Sequence, residues 1–262
     1  MNIIVCIKQV PNTTEIRIDP VTNTLVREGV ESILNPFDTY AIEEAVRLKE
    51  AHGGKITAIC MGPPQAEETL REAVSLGVDE IILLSDRRFA GADTWATSLT
   101  LAAAVKKIGD FDLIMCGQQA IDGDTAQVGP GIAAHLNLRQ GCFIRKIEEI
   151  TDCTVTVQRL LEDGFDTLKL KLPAVITVVK EINTPRLPSL RGKRNARNAE
   201  LKIWNADDLG LDEKAIGLNG SPTQVVKIFT PKHDKQTEVF SVEPQEAAQL
   251  IIKRLDRFTR GG

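Results

Sequence analysis

Short apolar runs alternate with helix-type segments through the first 140 residues, and this alternation limits the folds open to the chain. The runs NIIVCIKQV, KITAICM, DEIILLSD and DFDLIMC have the length of buried strands, and a segment with helical periodicity separates each from the next. Strands joined by helices of this length form parallel sheets with helices on both faces. We therefore predict an α/β fold built on a mostly parallel, doubly wound sheet.

Capping and turn residues set the expected ends of the elements. Asp38 is expected to cap a helix over DTYAIEEAVRLKEAHGG, which Gly53 and Gly54 would end. A later helix, TAQVGPGIAAHLNL, is expected to begin near Thr125. Between the first strand and the first helix, EIRIDPVTNTLVRE at residues 15–28 indicates a β-hairpin.

The pattern changes after residue 141. CFIRKIEEI, TVTVQRLLEDG, FDTLKLKLP and AVITVVKEI look like consecutive strands, which we expect to extend the sheet in an antiparallel manner. A loop interrupted by Pro185 and Pro188 then leads to a basic stretch. The last helical pattern, VEPQEAAQLIIKRLDRF, has Leu250, Ile251 and Leu255 on one face. The C-terminal part is therefore expected to be an arm that docks elsewhere.

Composition excludes several functional classes. A net charge of −4 gives no indication of nucleic-acid binding, and no apolar run approaches the ~18 residues that membrane insertion needs. The five cysteines form no CxxC pair, and with three scattered histidines they predict no metal site. Cys6, Cys60 and Cys116 lie in or at the end of apolar runs, where we expect small buried hydrophobes and a cytoplasmic protein.

The stretch GQQAIDGDTAQVG follows a predicted strand and contains no lysine or arginine. A helix that begins near Thr125 would offer unpaired N–H groups and the positive end of its dipole, so the backbone alone could bind an anion. Gly117 and Gly123 would allow close approach or positive φ. Asp122 and Asp124 oppose this interpretation unless they point away, cap the helix or bind sugar hydroxyls. A capped helix start with no ligand therefore stays open at this point.

Two other motifs also have a structural alternative. Residues 35–38, NPFD, fit an Asx turn with a helix cap. Lys193, Arg194 and Arg197 fit a solvated basic run, although an acidic partner could use them.

Three stretches carry a resemblance to a known family. NPFDTYAIEEAVRLKE, GQQAIDGDTAQVG and LKLKLPAVITVVKEINTPRLPSL resemble motifs of electron transfer flavoprotein beta subunits, and the match covers nearly the whole chain. The resemblance implies a heterodimer with an alpha subunit that carries an electron-transferring FAD. It also implies a nucleotide-binding α/β domain at 1–204, with a recognition loop at 184–200, and a C-terminal arm at 205–262 whose terminal helix docks on the alpha subunit.

The resemblance implies that the beta subunit itself holds a nucleotide, either AMP in housekeeping members or a second FAD in electron-bifurcating members. AIDGDTAQVGP resembles the bifurcating group, because Gly123 removes a carboxylate and Ala126 replaces a larger polar group. FAD is therefore favoured over AMP. The implied cofactor contacts are Cys6, Asn35, Pro36, Phe37, Asp38, Met61, Gly117, Gln118, Gln119, Ala120, Ile121, Asp122, Gly123, Asp124, Thr125, Ala126, Gln127 and Val128.

With FAD bound, the resemblance implies that NADH donates a hydride. One electron would go to ferredoxin or flavodoxin and the other, through the alpha-subunit FAD, to a partner dehydrogenase such as an acyl-CoA dehydrogenase or enoyl-CoA reductase. No side chain is expected to act as a catalytic acid or base. PRLPSLRGKRNAR resembles the family's recognition loop, and Leu190 aligns with its partner-binding leucine. A nucleotide-binding signalling module is a third interpretation, which the recognition loop and the arm disfavour.

Overall fold

The computed structural model describes residues 1–12, 32–226 and 238–259, with side chains of the last helix described to residue 255. Contacts divide the chain into two units, Met1–Val226 and Lys227–Gly262. The hairpin predicted at residues 15–28 lies outside the described residues.

The described strands all lie in the first unit. They are β1 (Asn2–Ile7), β2 (Gln9–Pro11), β3 (Ser32–Leu34), β4 (Lys55–Met61), β5 (Glu80–Leu84), β6 (Leu113–Gly117), β7 (Arg139–Ile150), β8 (Thr154–Leu160), β9 (Phe165–Lys171), β10 (Ala174–Val178) and β11 (Leu201–Trp204). The α-helices are α1 (Pro36–His52), α2 (Glu67–Leu76), α3 (Thr94–Ile108), α4 (Val128–Leu136), α5 (Leu190–Asn198) and, in the second unit, α6 (Pro244–Thr259).

The main sheet has the order β11-β5-β4-β1-β6-β10-β7-β8-β9, and β2 pairs with β3 separately. All neighbours from β11 to β7 are parallel, whereas β7, β8 and β9 pair antiparallel. The mostly parallel sheet with an antiparallel extension is thus confirmed.

One strand of the expected extension belongs to the parallel part instead. β10 lies between β6 and β7 and runs parallel to both. Its five residues AVITV are all buried, whereas β9 alternates between exposed and half-buried residues. A nearly continuous apolar run, here interrupted only by Thr177, is typical of a strand covered on both faces, so this position follows from composition. β11, which the sequence analysis did not predict, adds a parallel strand at the opposite edge.

Side chains of β1 alternate between two cores. Ile3, Val5 and Ile7 pack with the buried faces of α1 and α2. Ile4 and Cys6 pack instead with those of α3 and α4. The helix pairs therefore cover opposite faces of the sheet, as the doubly wound prediction requires.

The segment after β11 contributes to the first unit. Ala206 and Ile216 are fully buried in the core beneath α3 and α4. The first unit therefore continues to Val226, and the assignment of residues 205–262 to an arm stays a prediction. The predicted terminal helix is present as α6, and it exposes Ile251, Ile252 and Leu255. No helix in the described parts of the chain has the length and apolar character of a membrane span.

Candidate functional site

The carboxyl ends of β4, β1 and β6 lie side by side because these strands are parallel neighbours. The helix that follows β1 packs on one face of the sheet and the helix that follows β6 packs on the other. Such a divergence leaves a crevice beyond the strand ends, where doubly wound sheets bind ligands. The predicted contacts Cys6, Met61 and Gly117 all lie at this edge.

Asn35 fastens the segment after β6 to the start of α1. Its side chain makes no cap for its own helix, which begins at Pro36. Instead, Asn35 Nδ2 donates to Gln119 O at 2.9 Å, and Ile121 N donates to Asn35 Oδ1 at 3.2 Å. Asn35 is only 1% exposed, so both hydrogen bonds are protected from water. The structure therefore brings residues 35–38 against residues 117–121.

Asp38 lies inside the first turn of α1, so the expectation that it caps the helix was wrong. Pro36 begins the helix one residue after Asn35, because proline needs no N–H partner at that position. Asp38 is 5% exposed, and Asp38 Oδ2 accepts from Lys8 N at 2.8 Å. Burial raises the pKa of Asp38 to about 7, against the opposing effect of hydrogen bonds from Asn35, Lys8 N and Gly117 N. The carboxyl group thus binds the ends of β1 and β6 together.

We predict that ionisation of Asp38 lowers the free energy of unfolding as the pH rises from about 4 to about 7. The folded chain retains a proton there that the unfolded chain releases, because the folded pKa of about 7 exceeds the ordinary value of 3.8. Above pH 7 the full penalty applies, up to about 4 kcal/mol for three pKa units. The free energy of unfolding can be measured with urea for wild type and Asp38→Asn at several pH values across this range. As the pH rises, the wild type should lose stability relative to Asp38→Asn.

Asp163→Asn, in the exposed turn between β8 and β9, controls for the loss of a carboxylate. It should keep the wild-type pH dependence. A free-energy difference between wild type and Asp38→Asn that is flat from pH 4 to pH 7 would contradict the assigned protonation.

The segment 117–127 differs in detail from its prediction. α4 begins at Val128 with Gln127 before it, so the predicted start at Thr125 was three residues early. Asp124 and Ala126 take the positive φ angles, 51° and 53°, that were expected at Gly117 or Gly123. Aspartate tolerates this conformation better than most side chains. Residues 121–125 consequently form an exposed turn in front of the helix rather than its first turn.

Position 117 requires glycine because the first turn of α1 approaches its backbone closely. A Cβ atom there would overlap Asp38 Oδ1 and lie 2.7 Å from Phe37 C and 2.9 Å from Asp38 N. Gly123 by contrast is surrounded by open space, and a Cβ atom there would meet nothing within 4 Å. One glycine therefore closes the gap between β6 and α1, and the other leaves the turn uncrowded.

Both carboxylates of the turn have donors within the protein. Lys8 Nζ contacts Asp122 Oδ1 at 2.7 Å and Oδ2 at 2.8 Å, and Gln119 Nε2 donates to Asp124 Oδ1. The sequence analysis missed Lys8, because a lysine more than a hundred positions from the turn has no local signature. Its place two residues after Cys6, at the end of β1, was the signal that could have found it.

Three cysteines lie towards the carboxyl ends of the strands at this edge. Cys6, Cys60 and Cys116 are buried, as expected. Burial raises the pKa of the Cys60 thiol to about 12, and the hydrogen bond with Cys6, together with burial, raises that of Cys116. The Cys60 and Cys116 thiols are therefore poor nucleophiles. No cluster of His, Cys, Asp or Glu suited to a metal ion occurs among the described residues.

A groove of about 550 Å³ lies along α3, and none of the predicted cofactor contacts lines it. Its walls come from α3, from His135 on α4 and from residues 208–211. The candidate site at the strand ends is therefore assigned from hydrogen bonding and sheet topology.

Leu190 is the first residue of α5, so the predicted recognition loop is helical in part. Leu190 is 88% exposed and Leu187 is 89% exposed. Ser189 caps the helix by accepting from Gly192 N at 2.9 Å. The structure thus presents two apolar side chains on a capped helix start.

Arg186 ties this segment to the outer part of α1. Its Nε and backbone N donate to Glu43 Oε2 at 2.8 and 3.0 Å, and its Nη1 donates to Glu50 Oε1 at 2.6 Å. The Glu43 side chain is only 8% exposed, whereas that of Glu50 is 58% exposed. The hydrogen bond from Arg186 lowers the pKa of Glu50. Helix α1 therefore carries the candidate cofactor contacts at its start and fixes the recognition segment farther along.

Comparison with known proteins decides the family. The electron transfer flavoprotein domain matches residues 22–209. The chain belongs to the electron transfer flavoprotein family. Over 257 residues it is 52% identical to the electron transfer flavoprotein subunit beta of Thermoanaerobacterium thermosaccharolyticum, with 98% of each chain covered. The resemblance inferred from three sequence motifs is confirmed at this level.

Other relatives extend the same assignment. The chain is 50% identical over 257 residues to the caffeyl-CoA reductase-Etf complex subunit CarD of Acetobacterium woodii, covering 97% of this chain and 98% of that one. It is 46% identical over 263 residues to protein FixA of Sinorhizobium fredii, covering 96% and 92%. The chain is thus a member of the electron transfer flavoprotein beta subunits, with a role in electron transfer.

Proposed function

We propose that the chain is the beta subunit of an electron-bifurcating flavoprotein and holds an FAD at the strand-end crevice. In this proposal it takes a hydride from NADH. One electron goes to ferredoxin or flavodoxin, and the other passes through the FAD of an alpha subunit to an acyl-CoA-type dehydrogenase. The observation that best supports the proposal concerns the 117–127 segment. Asn35 and Asp38 hold this segment at the strand ends, and its two carboxylates, Asp122 and Asp124, both accept hydrogen bonds within the protein.

The residues at the crevice fit a dinucleotide. The exposed turn at 121–125 and the start of α4 would offer backbone N–H groups to phosphates, apart from Ile121 N and Asp124 N, which donate to Asn35 Oδ1 and Ala120 O. Gln127 is held at this position by Thr94 Oγ1, which donates to Gln127 Oε1 at 2.9 Å. No protein atom lies within 4 Å of the position a Cβ would take at Gly123, so the turn leaves room beside it for the proposed ligand. A bound flavin would supply the two-electron and one-electron chemistry, and the protein would orient it and exclude competing reactions.

Cofactor content tests this proposal directly. The chain, co-purified with its alpha subunit, should release two FAD molecules per pair when the protein is denatured and the supernatant is separated by chromatography. One FAD together with one AMP would instead indicate the housekeeping type, in which the beta-subunit nucleotide is structural, and would exclude bifurcation at this site.

We predict that Gly123→Asp weakens FAD binding at the beta site. A third carboxylate in a turn that already contains Asp122 and Asp124 would repel the diphosphate, and we expect a loss of about tenfold in affinity, or about 1.4 kcal/mol. Gly123→Asn is the matched control, since it has similar bulk without the charge. Beta-site occupancy measured after dialysis should fall for the aspartate variant alone, and an equal loss in both variants would attribute the effect to size.

The recognition segment supports docking to a dehydrogenase. Leu187 and Leu190 are exposed apolar side chains beside a basic helix. Among the described residues, the cationic side chains of α5 make no hydrogen bond or ion pair; they are Arg191, Lys193, Arg194 and Arg197. An aliphatic anchor within such a rim suits an acidic partner with an apolar pocket.

A further inference from the structure

Lys8 is fixed by its backbone and leaves its side chain over the candidate cofactor turn. Lys8 N donates to Asp38 Oδ2 at 2.8 Å, and Asn35 N donates to Lys8 O at 2.9 Å. From there, Lys8 Nζ spans to both oxygens of Asp122, at 2.7 and 2.8 Å. The two residues that hold the 117–127 segment therefore also position this lysine.

Lys8 is the only cation bonded to the 117–127 segment among the described residues of the first unit. The side chains of Lys8 and Asp122 are 47% and 33% exposed, so the pair contributes little to folding. Its electrostatic effect on a neighbouring anion is larger. A free carboxylate a few ångströms from a phosphate opposes binding by about 1 kcal/mol in water and more where water is partly excluded.

We propose that Lys8 is a positioning residue for phosphate-bearing ligands, and that it acts by neutralising Asp122. The inference rests on the proposed nucleotide site. The pairing explains how a turn with two carboxylates and no lysine or arginine of its own can accept a diphosphate: the compensating charge comes from the end of β1. Lys8 remains on Asp122 when the ligand binds and does not contact the phosphates.

The test uses the alpha–beta complex depleted of beta-site nucleotide, with ADP and adenosine as calorimetric probes. Lys8→Met removes the charge and keeps the exposed stem and the backbone hydrogen bonds. We expect it to weaken ADP binding about tenfold at low salt, and less at high salt, while adenosine binding stays within about twofold of wild type. Lys8→Arg should bind both probes as wild type does.

The double variant Lys8→Met/Asp122→Asn separates neutralisation from direct contact. It should recover wild-type ADP affinity, because no unpaired carboxylate remains at position 122. A double variant as weak as Lys8→Met would overturn the proposal in favour of a direct bond from Lys8 to phosphate. Unchanged ADP affinity in Lys8→Met would also overturn it. Failure of the wild type to bind either probe would instead overturn the proposed nucleotide site itself.

Discussion

Gly117→Ala is expected to separate the end of β6 from the first turn of α1 and to lower the free energy of unfolding by about 3 kcal/mol. The added methyl group would overlap Asp38 Oδ1 and press on the backbone at Phe37 C, 2.7 Å away. Backbone atoms cannot rotate away as a flexible side chain can. The displacement would also strain the two hydrogen bonds between the Asn35 side chain and the backbone of residues 119 and 121, so we expect nucleotide to be lost from the proposed beta site.

Gly123→Ala is the matched control in the same segment. Its Cβ would meet nothing within 4 Å, so stability should change by less than about 0.5 kcal/mol. Urea unfolding measures the first effect, and nucleotide content after purification measures the second. Equal behaviour of the two alanine variants would show that the approach of Gly117 to α1 is not what orders the turn.

Gly192→Ala is expected to disrupt the packing of α5 against α2. A Cβ at Gly192 would overlap Ser75 O and lie 3.0 Å from Ser75 C, both backbone atoms at the C-terminal end of α2. We expect a loss of about 2–3 kcal/mol in the free energy of unfolding, together with slower electron delivery to the proposed partner dehydrogenase. Nucleotide content should not change, because Gly192 belongs to no element of the strand-end crevice.

Two comparison variants separate folding from docking. Leu190→Ala shortens an exposed side chain, so it should slow electron delivery while leaving the unfolding curve near wild type. Gly164→Ala, in an open turn with nothing within 4 Å, should change neither. If Gly192→Ala destabilises the chain but delivers electrons at the wild-type rate, the position of α5 does not govern docking.

Local patterns predicted the parallel sheet well because each buried strand is marked by a short apolar run. They placed β10 wrongly because consecutive strands need not be neighbours, and pairing depends on which faces must be covered. The run AVITV, apolar except for Thr177, favours a central position, but we expected it to continue the antiparallel series because it follows the preceding strands directly in sequence.

The family resemblance implied cofactor contacts at Cys6, Met61 and Gly117, and the structure places these residues at the ends of neighbouring strands. The sequence did not reveal which of these residues hold the strand ends together. Asn35 and Asp38 were expected to form a turn and a cap, yet their side chains bind residues from other strand ends. Lys8 and Asp122 are separated by more than a hundred positions, so only the fold reveals their pairing.

The hydrogen bonds from Arg186 to Glu43 and Glu50 of helix α1 matter for any attempt to transfer partner specificity from one relative to another. A chimera that grafts residues 184–200 from one relative onto another would transplant the arginine but leave its acceptors, Glu43 and Glu50, behind in the recipient. Where the recipient lacks these glutamates, the grafted segment with Leu187 and Leu190 would have no hydrogen bonds to hold it to α1. A transferable docking module therefore consists of two pieces distant in sequence, and both have to be moved together.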